Sequence, residues 1–280
     1  MLSTRLWMGT ILVVLAAGVL VLDQWFAPWY PFLLIFLLFL ASVGCHELLE
    51  LLPAATRPQT WLCYPTVIVL ILANWPAHFR GQDAWPWVLG TYTAVILSAF
   101  VAEMATFREP GVSVARIAVT LWMAAYLGLL PCFLAQLRWL KGSDDGISNS
   151  TLALALAIFV PKGCDIGAYF TGRILGRHRM TPILSPKKTW EGFAGGMAVA
   201  VGTAIGIGQL GPVLRDSIWR AVGFGLTVGV AGVLGDLAES LIKRDCLRKD
   251  AAQSVPGFGG VLDVVDSVVF AAPIAYWWLV

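Results

Sequence analysis

Charge is scarce in this chain. Only 13% of its 280 residues are charged, against 58% hydrophobic, and mean hydropathy is +0.77. That excludes a soluble domain with one large core and points to a polytopic membrane protein. The three histidines, His46, His78 and His178, do not cluster, which argues against a zinc site. The five cysteines, Cys45, Cys63, Cys132, Cys164 and Cys246, are scattered, mostly through apolar runs. With no CxxC pair and no metal spacing, they read as small buried hydrophobes. No GxxxxGKS/T stretch occurs, so this is not a P-loop protein. Internal repeats and low-complexity segments are missing too.

What remains is apolar sequence in long runs. At about 20 residues per crossing, nine spans are expected, at roughly 6–22, 29–51, 61–78, 85–102, 115–136, 151–171, 192–210, 218–238 and 266–280. The first run reads as an uncleaved span, not a signal peptide, because more spans follow it. The fold class is therefore an all-α polytopic membrane protein with about nine transmembrane helices. With the N-terminus inside, 14 of the 19 Lys and Arg residues fall on the cytoplasmic side. That bias predicts an N-in/C-out orientation. It also places two charged loops, 172–191 and 239–265, on the same side.

The two halves differ. Residues 1–140 have few polar groups and read as membrane scaffold. His46, Glu47, Glu50 and Glu103 sit near span ends, and several tryptophans, such as Trp25, Trp29 and Trp75, fit interfacial belts. Residues 150–280 change character and carry most of the charged groups. Within a span, Lys162 and Asp165 stand three apart on one helix face, where isolated charges cost several kcal/mol unless paired or wet. Asp165 is a candidate site residue. Next comes S-P-K-K-T-W-E-G, with Ser185, Lys187, Lys188 and Thr189 leading into a glycine-rich span. Hydroxyls and amides at a helix start, with two lysines beside them, suit an anion. Gly202/Gly206 and Gly225/Gly229 follow at a spacing of four, which allows close helix packing.

The densest stretch runs from Gly235 to Asp266, between two apolar flanks. It holds Asp236, Glu239, Asp245, Asp250, Asp263 and Asp266, with Lys243, Arg244, Arg248 and Lys249. Asp236, Glu239, Ser240 and Lys243 fall at i, i+3, i+4 and i+7, one face of a helix. Asp263 and Asp266 are three apart, and face the same way if a helix begins after Gly259-Gly260. Carboxylates suit a hard divalent cation, and basic side chains suit phosphates. The plainer reading is a basic topology-setting loop with carboxylates as its counter-ions.

Taken together, Asp165 with G-A-Y-F-T-G-R, then S-P-K-K-T-W-E-G, G-D-L-A-E-S-L-I-K-R-D-C-L-R-K-D and P-G-F-G-G-V-L-D-V-V-D-S, resemble the phosphatidate cytidylyltransferase family over about residues 158–275. The resemblance implies transfer of a cytidylyl group from CTP to phosphatidate, giving CDP-diacylglycerol and pyrophosphate for phospholipid synthesis. It implies Asp236, Asp263 and Asp266 as ligands of Mg2+, with room for a second cation. Lys243 and Arg244 would hold phosphates, while Ser185, Lys187, Lys188 and Thr189 would grip the triphosphate. Asp165, Ser240, Lys249 and Asp250 complete the substrate site. The implied partners are CTP, phosphatidate, membrane lipids and a second copy of the chain, with no nucleic acid. A bacterial inner membrane is the expected location.

Two positions depart from the family pattern, Phe258 where the family has His and Val264 where it has Arg. They leave open a divergent or inactive relative that acts on another lipid phosphate or serves as a lipid-binding subunit. Two other classes fit less well. A transporter would spread polar residues through both halves. A CDP-alcohol phosphotransferase would follow Asp263-x-x-Asp266 with Gly, where this chain has Ser267.

Overall fold

A bilayer core offers the backbone no water, so each crossing segment must satisfy its own N–H and C=O groups, and a helix does so within one segment. The computed structural model describes residues 2–108, 110–140, 148–248, 250–252, 254–255 and 259–280. Among these, nine helical stretches are long and apolar enough to cross a membrane. In order they are α1 (Leu2–Gln24), α2 (Pro31–Leu51), α3 (Thr60–Leu72) extended by the short α4 (Asn74–Phe79), and α5 (Trp85–Thr106). The fifth span is α6 (Ser113–Met123), a π-helical turn (Ala124–Leu129) and α7 (Leu130–Leu137). Then follow α8 (Asn149–Leu175), α9 (Trp190–Gly208), α10 (Ile218–Asp245) and α11 (Leu262–Leu279). The all-α, nine-span expectation is met.

Two differences from the expected outline bear on the site. Several helices run past their apolar segments. The eighth span, expected to stop near residue 238, continues as α10 to Asp245, and the ninth, expected from 266, begins at Leu262. Lys243 and Arg244 in the last turn of α10, and Asp263 in the first turn of α11, complement the helix dipoles there. The second difference is a small antiparallel hairpin between α8 and α9, β1 (Arg179–Thr181) with β2 (Ser185–Thr189), in which Thr181 faces Ser185 and Arg179 faces Thr189. Pro182 and Pro186 keep this stretch out of a helix.

The last four helices pack on one another, and α11 also touches α7 and α2. Small residues bring them close. A side-chain carbon at Gly167 of α8 would lie 2.6 Å from Val199 of α9, and one at Gly225 of α10 would lie 2.7 Å from the Val201 backbone. Gly225 and Gly229 thus pack as expected, but Gly202 and Gly206 do not: they are exposed and meet nothing within 4 Å. The contact face of α9 runs through Met197, Ala200 and Val201, and each step of one residue turns about 100° round the helix, away from α10.

Among the described residues, one ion pair is fully buried. Arg138, just beyond α7, pairs with Asp23 of α1 at 3.1 Å. Its guanidinium also donates to Thr151 Oγ1 at 2.8 Å and lies 4.5 Å from the ring centre of Tyr30. Asp23 in turn accepts from the Phe32 amide at 2.8 Å, at the start of α2. Three helices are tied at one point far along the chain from the charged stretch.

Candidate active site

The site is built on the face of α10 that its spacing predicts. Asp236, Glu239, Ser240 and Lys243 line it; Asp236 is half-buried and the other three are buried. Across from them, α11 starts directly after Gly259-Gly260 and presents Asp263 and Asp266. Lys243 Nζ bridges the two helices, donating to Glu239 Oε2 at 2.6 Å and to Asp263 Oδ1 at 2.5 Å. The other oxygen of Asp263 accepts from the amides of Gly260 (2.7 Å) and Ala251 (3.2 Å). Gly259 has φ +112, a conformation that side chains disfavour, and a side-chain carbon there would collide with Asp263. The glycines therefore let the loop close onto this carboxylate.

Asp266 points elsewhere. Its oxygens accept from the Ser267 amide at 2.6 Å and face Lys162 Nζ of α8 at 3.6 Å. Lys162 pairs with Asp165 at 3.0 Å, and Asp165 also accepts from Ser267 Oγ at 2.8 Å. The pair expected at i, i+3 on the sixth span thus forms and joins α8 to α11. From the hairpin, Lys188 reaches Asp236 at 2.9 Å. The stretches 172–191 and 239–265 also meet, where Arg244 donates to the Leu184 carbonyl at 3.3 Å.

Carboxylate oxygens of Asp236, Glu239 and Asp266 lie within 4.8 Å of one another, and this is a group able to hold a metal ion. Hard oxygen donors of this kind suit Mg2+. Glu239 Oε1 is buried with no hydrogen-bond partner among the described residues, as an open ligand position would be. The donor set therefore fits a divalent cation. Asp263, expected in that set, lies outside it and serves Lys243 and the loop amides; Glu239 stands in its place. The i+3 spacing from Asp236 already marks Glu239 as lying on the right face.

The other candidates have varied surroundings. Thr189 caps α9, its Oγ1 accepting from the Gly192 amide at 3.1 Å. Ser185 is half-buried on β2 and pairs with Thr181. Lys187 is exposed, because neighbouring strand residues point to opposite faces and Lys188 takes the inner one. Arg244 is exposed and donates to the carbonyls of Leu184 and Arg248 (3.3 and 3.2 Å), pinning the hairpin to the end of α10. Asp250 is exposed, with no hydrogen bond or ion pair to a described residue. Lys249 and Phe258 lie outside the described residues. Val264 is half-buried in the first turn of α11.

Glu47 was expected only to mark a span end. It is buried, and its two oxygens accept from the amides of Val261 (2.9 Å) and Leu262 (2.8 Å). It caps α11 from α2, 214 residues away in sequence. A carbon at Gly260 would press on this carboxylate at 2.5 Å. Glu47→Ala strips two amides of their acceptor at a helix start and should cost about 1–2 kcal/mol. The check is the melting temperature in detergent, which should fall by several degrees; an unchanged value would remove Glu47 from the account.

The fold and the site together define a polytopic membrane protein with a carboxylate–lysine centre at the ends of its packed helices. The chain belongs to the cytidylyltransferase family, whose model matches residues 3–280. It is similar to the phosphatidate cytidylyltransferase of Synechocystis sp., at 31% identity over 304 aligned residues that cover 99% of this chain and 96% of that one. That of Brucella suis biovar 1 is 33% identical, covering 71% of this chain and 73% of its own length. That of Staphylococcus epidermidis is 29% identical, covering 86% and 87%.

Proposed function

We propose that this protein is a phosphatidate cytidylyltransferase, joining CTP and phosphatidate to give CDP-diacylglycerol and pyrophosphate. The observation that carries the reading is the meeting of Asp236, Glu239 and Asp266 with Lys243, Lys162 and Lys188 at one point. In the reaction an oxygen of the lipid phosphate forms a bond to the α-phosphorus of CTP. The bond from that phosphorus to the β-phosphate oxygen breaks, and pyrophosphate leaves. The attacking phosphate monoester has a second pKa near 6 and is largely dianionic at neutral pH, so it needs no strong general base. What the site must supply is placement and charge neutralisation.

Asp236, Glu239 and Asp266 would hold Mg2+, which when bound supplies a Lewis acid for phosphoryl oxygens. Asp263 holds Lys243 in place and closes the Gly259-Gly260 loop, and Lys243 faces the phosphates. Lys188 is released from Asp236 to grip the triphosphate, and Lys162, held by Asp165, covers the inner side. An apolar groove of about 960 Å³ takes the acyl chains. Two of its lining residues, Leu234 and Phe270, stand within about one helical turn of Asp236 and Asp266. The reaction centre therefore lies where a water-soluble nucleotide and a membrane lipid can both reach it.

We place the protein in a bacterial inner membrane with both charged loops on the cytoplasmic side, N-in and C-out, as the distribution of Lys and Arg favours. Residues 1–140 form its scaffold and 150–280 its catalytic part, and two copies pair in the membrane. The test is turnover by the purified, detergent-solubilised protein given CTP, short-chain phosphatidate and Mg2+, following both pyrophosphate and CDP-lipid. Product that disappears with EDTA supports the reading. Bound CTP with no CDP-diacylglycerol would overturn it and point to another lipid phosphate as acceptor.

A further inference from the structure

A smaller cavity, of about 290 Å³, opens between the C-terminal end of α5 and the start of α6, and Glu103 is the charged residue in its lining. Phe100, Met104, Phe107 and Ile117 give it apolar walls, and Ser113 adds a hydroxyl. Glu103 is 7% exposed and makes no hydrogen bond or ion pair with a described residue. Unlike Glu239 Oε1, its oxygens are not sealed from the surface, so the cavity opens onto the charge. Arg108 and Arg116, the basic residues nearest to it in the chain, leave it unpaired. A carboxylate so deeply buried without a partner is costly, and within a membrane span it marks a binding site for something of opposite charge.

The surroundings favour a cation too. Glu103 stands in the last turn of α5, at the negative pole of the helix, and no basic residue stands in that turn. One carboxylate among apolar side chains cannot build the oxygen shell that a divalent metal needs. An ammonium needs less, since its N–H groups make strong charge-assisted bonds to a single carboxylate. The position is that of a lipid headgroup: Glu103 lies about one turn inside the end of a membrane-crossing helix. Phe100, Met104 and Phe107 are exposed at the mouth, where lipid surrounds the helix. We propose that this cavity binds a membrane lipid with a primary ammonium headgroup, the ammonium donating to Glu103 and the apolar walls covering the carbon skeleton beside it. A quaternary headgroup has no N–H to give and fits less well. The site uses none of the residues of the carboxylate centre, yet it lies at the same end of the bundle. Gln59, between α2 and α3, donates to the Ala102 carbonyl at 3.2 Å and to Thr106 Oγ1 at 2.6 Å, while Glu47 near the end of α2 caps α11.

The test is lipid binding to the purified, delipidated full-length protein in detergent, read by native mass spectrometry. Phosphatidylethanolamine and phosphatidylcholine with the same acyl chains are offered in equal amounts. The parent should bind phosphatidylethanolamine about 10-fold more tightly, the size expected for a hydrogen bond to a charged group. Glu103→Gln keeps the shape, removes the charge and should lose that preference. Equal binding of the two lipids by the parent overturns the proposal, and so does a preference that persists in Glu103→Gln. Displacement of the lipid by free ethanolamine also overturns it, and makes the ligand a soluble amine. Should Glu103→Gln not fold, Ser113→Leu decides: it fills the cavity from α6 with Glu103 in place and should abolish the preference, and an undiminished preference there overturns the proposal.

Discussion

Asp266→Asn lowers cytidylyl transfer by about 10³-fold. Asp266 belongs to the group of three carboxylates within 4.8 Å and also faces Lys162 at 3.6 Å. Asparagine keeps its shape and can still accept from the Ser267 amide, so the fold should survive. What is lost is one negative charge from the proposed cation site and the counter-charge to Lys162. Several kcal/mol of charge stabilisation depend on such a site, and each 1.36 kcal/mol is a factor of ten in rate. The measurement is CDP-lipid formation across a range of Mg2+ concentrations, with the melting temperature as a control. Turnover within tenfold of the parent would remove Asp266 from the centre. Asp263→Asn is the informative partner. It too should abolish turnover, but through Lys243 and the loop, so its Mn2+ affinity should match that of the parent. A large loss of Mn2+ affinity would restore Asp263 to the ligand set.

Lys243→Met has the largest expected effect on stability. Its ammonium lies between Glu239 and Asp263, with side-chain exposures of 10%, 1% and 9% respectively. Methionine fills the same volume but leaves two buried carboxylates without their cation. Breaking a buried pair from one side costs about 3–5 kcal/mol, because an uncompensated charge stays behind. The melting temperature in detergent should fall by roughly 10 °C, and turnover should vanish with it. The double variant Lys243→Met/Glu239→Gln removes one of the stranded charges and should recover part of the melting temperature. If Lys243→Met melts with the parent, the bridge between α10 and α11 is not holding the site together.

The inner chemistry is partly local and was legible to that extent. Asp236, Glu239 and Lys243 share a helix face because 3.6 residues make a turn, and Lys162 meets Asp165 for the same reason. Which carboxylates converge is not local. Asp263 and Glu239 change places relative to the expectation because the Gly259-Gly260 loop delivers its amides to Asp263, and Lys243 then reaches across to it. Lys187 and Lys188 look equivalent in sequence, yet a strand turns only one of them inward. Gly202/Gly206 and Gly225/Gly229 have the same spacing, and only the second pair faces a neighbouring helix.

The sequence by itself determined the membrane class, the span count and the gathering of charge into a few short stretches. Those follow from the thickness of a bilayer and the period of a helix, which act within a single segment. Only the tertiary structure decided that Glu47 of the second span caps the last helix and that Lys188 pairs with Asp236. These contacts join residues far apart in the chain, each lone in an apolar or loop setting. Their partners are chosen by helix packing and by the need of every buried polar group for a counterpart, and no period within one segment records that choice.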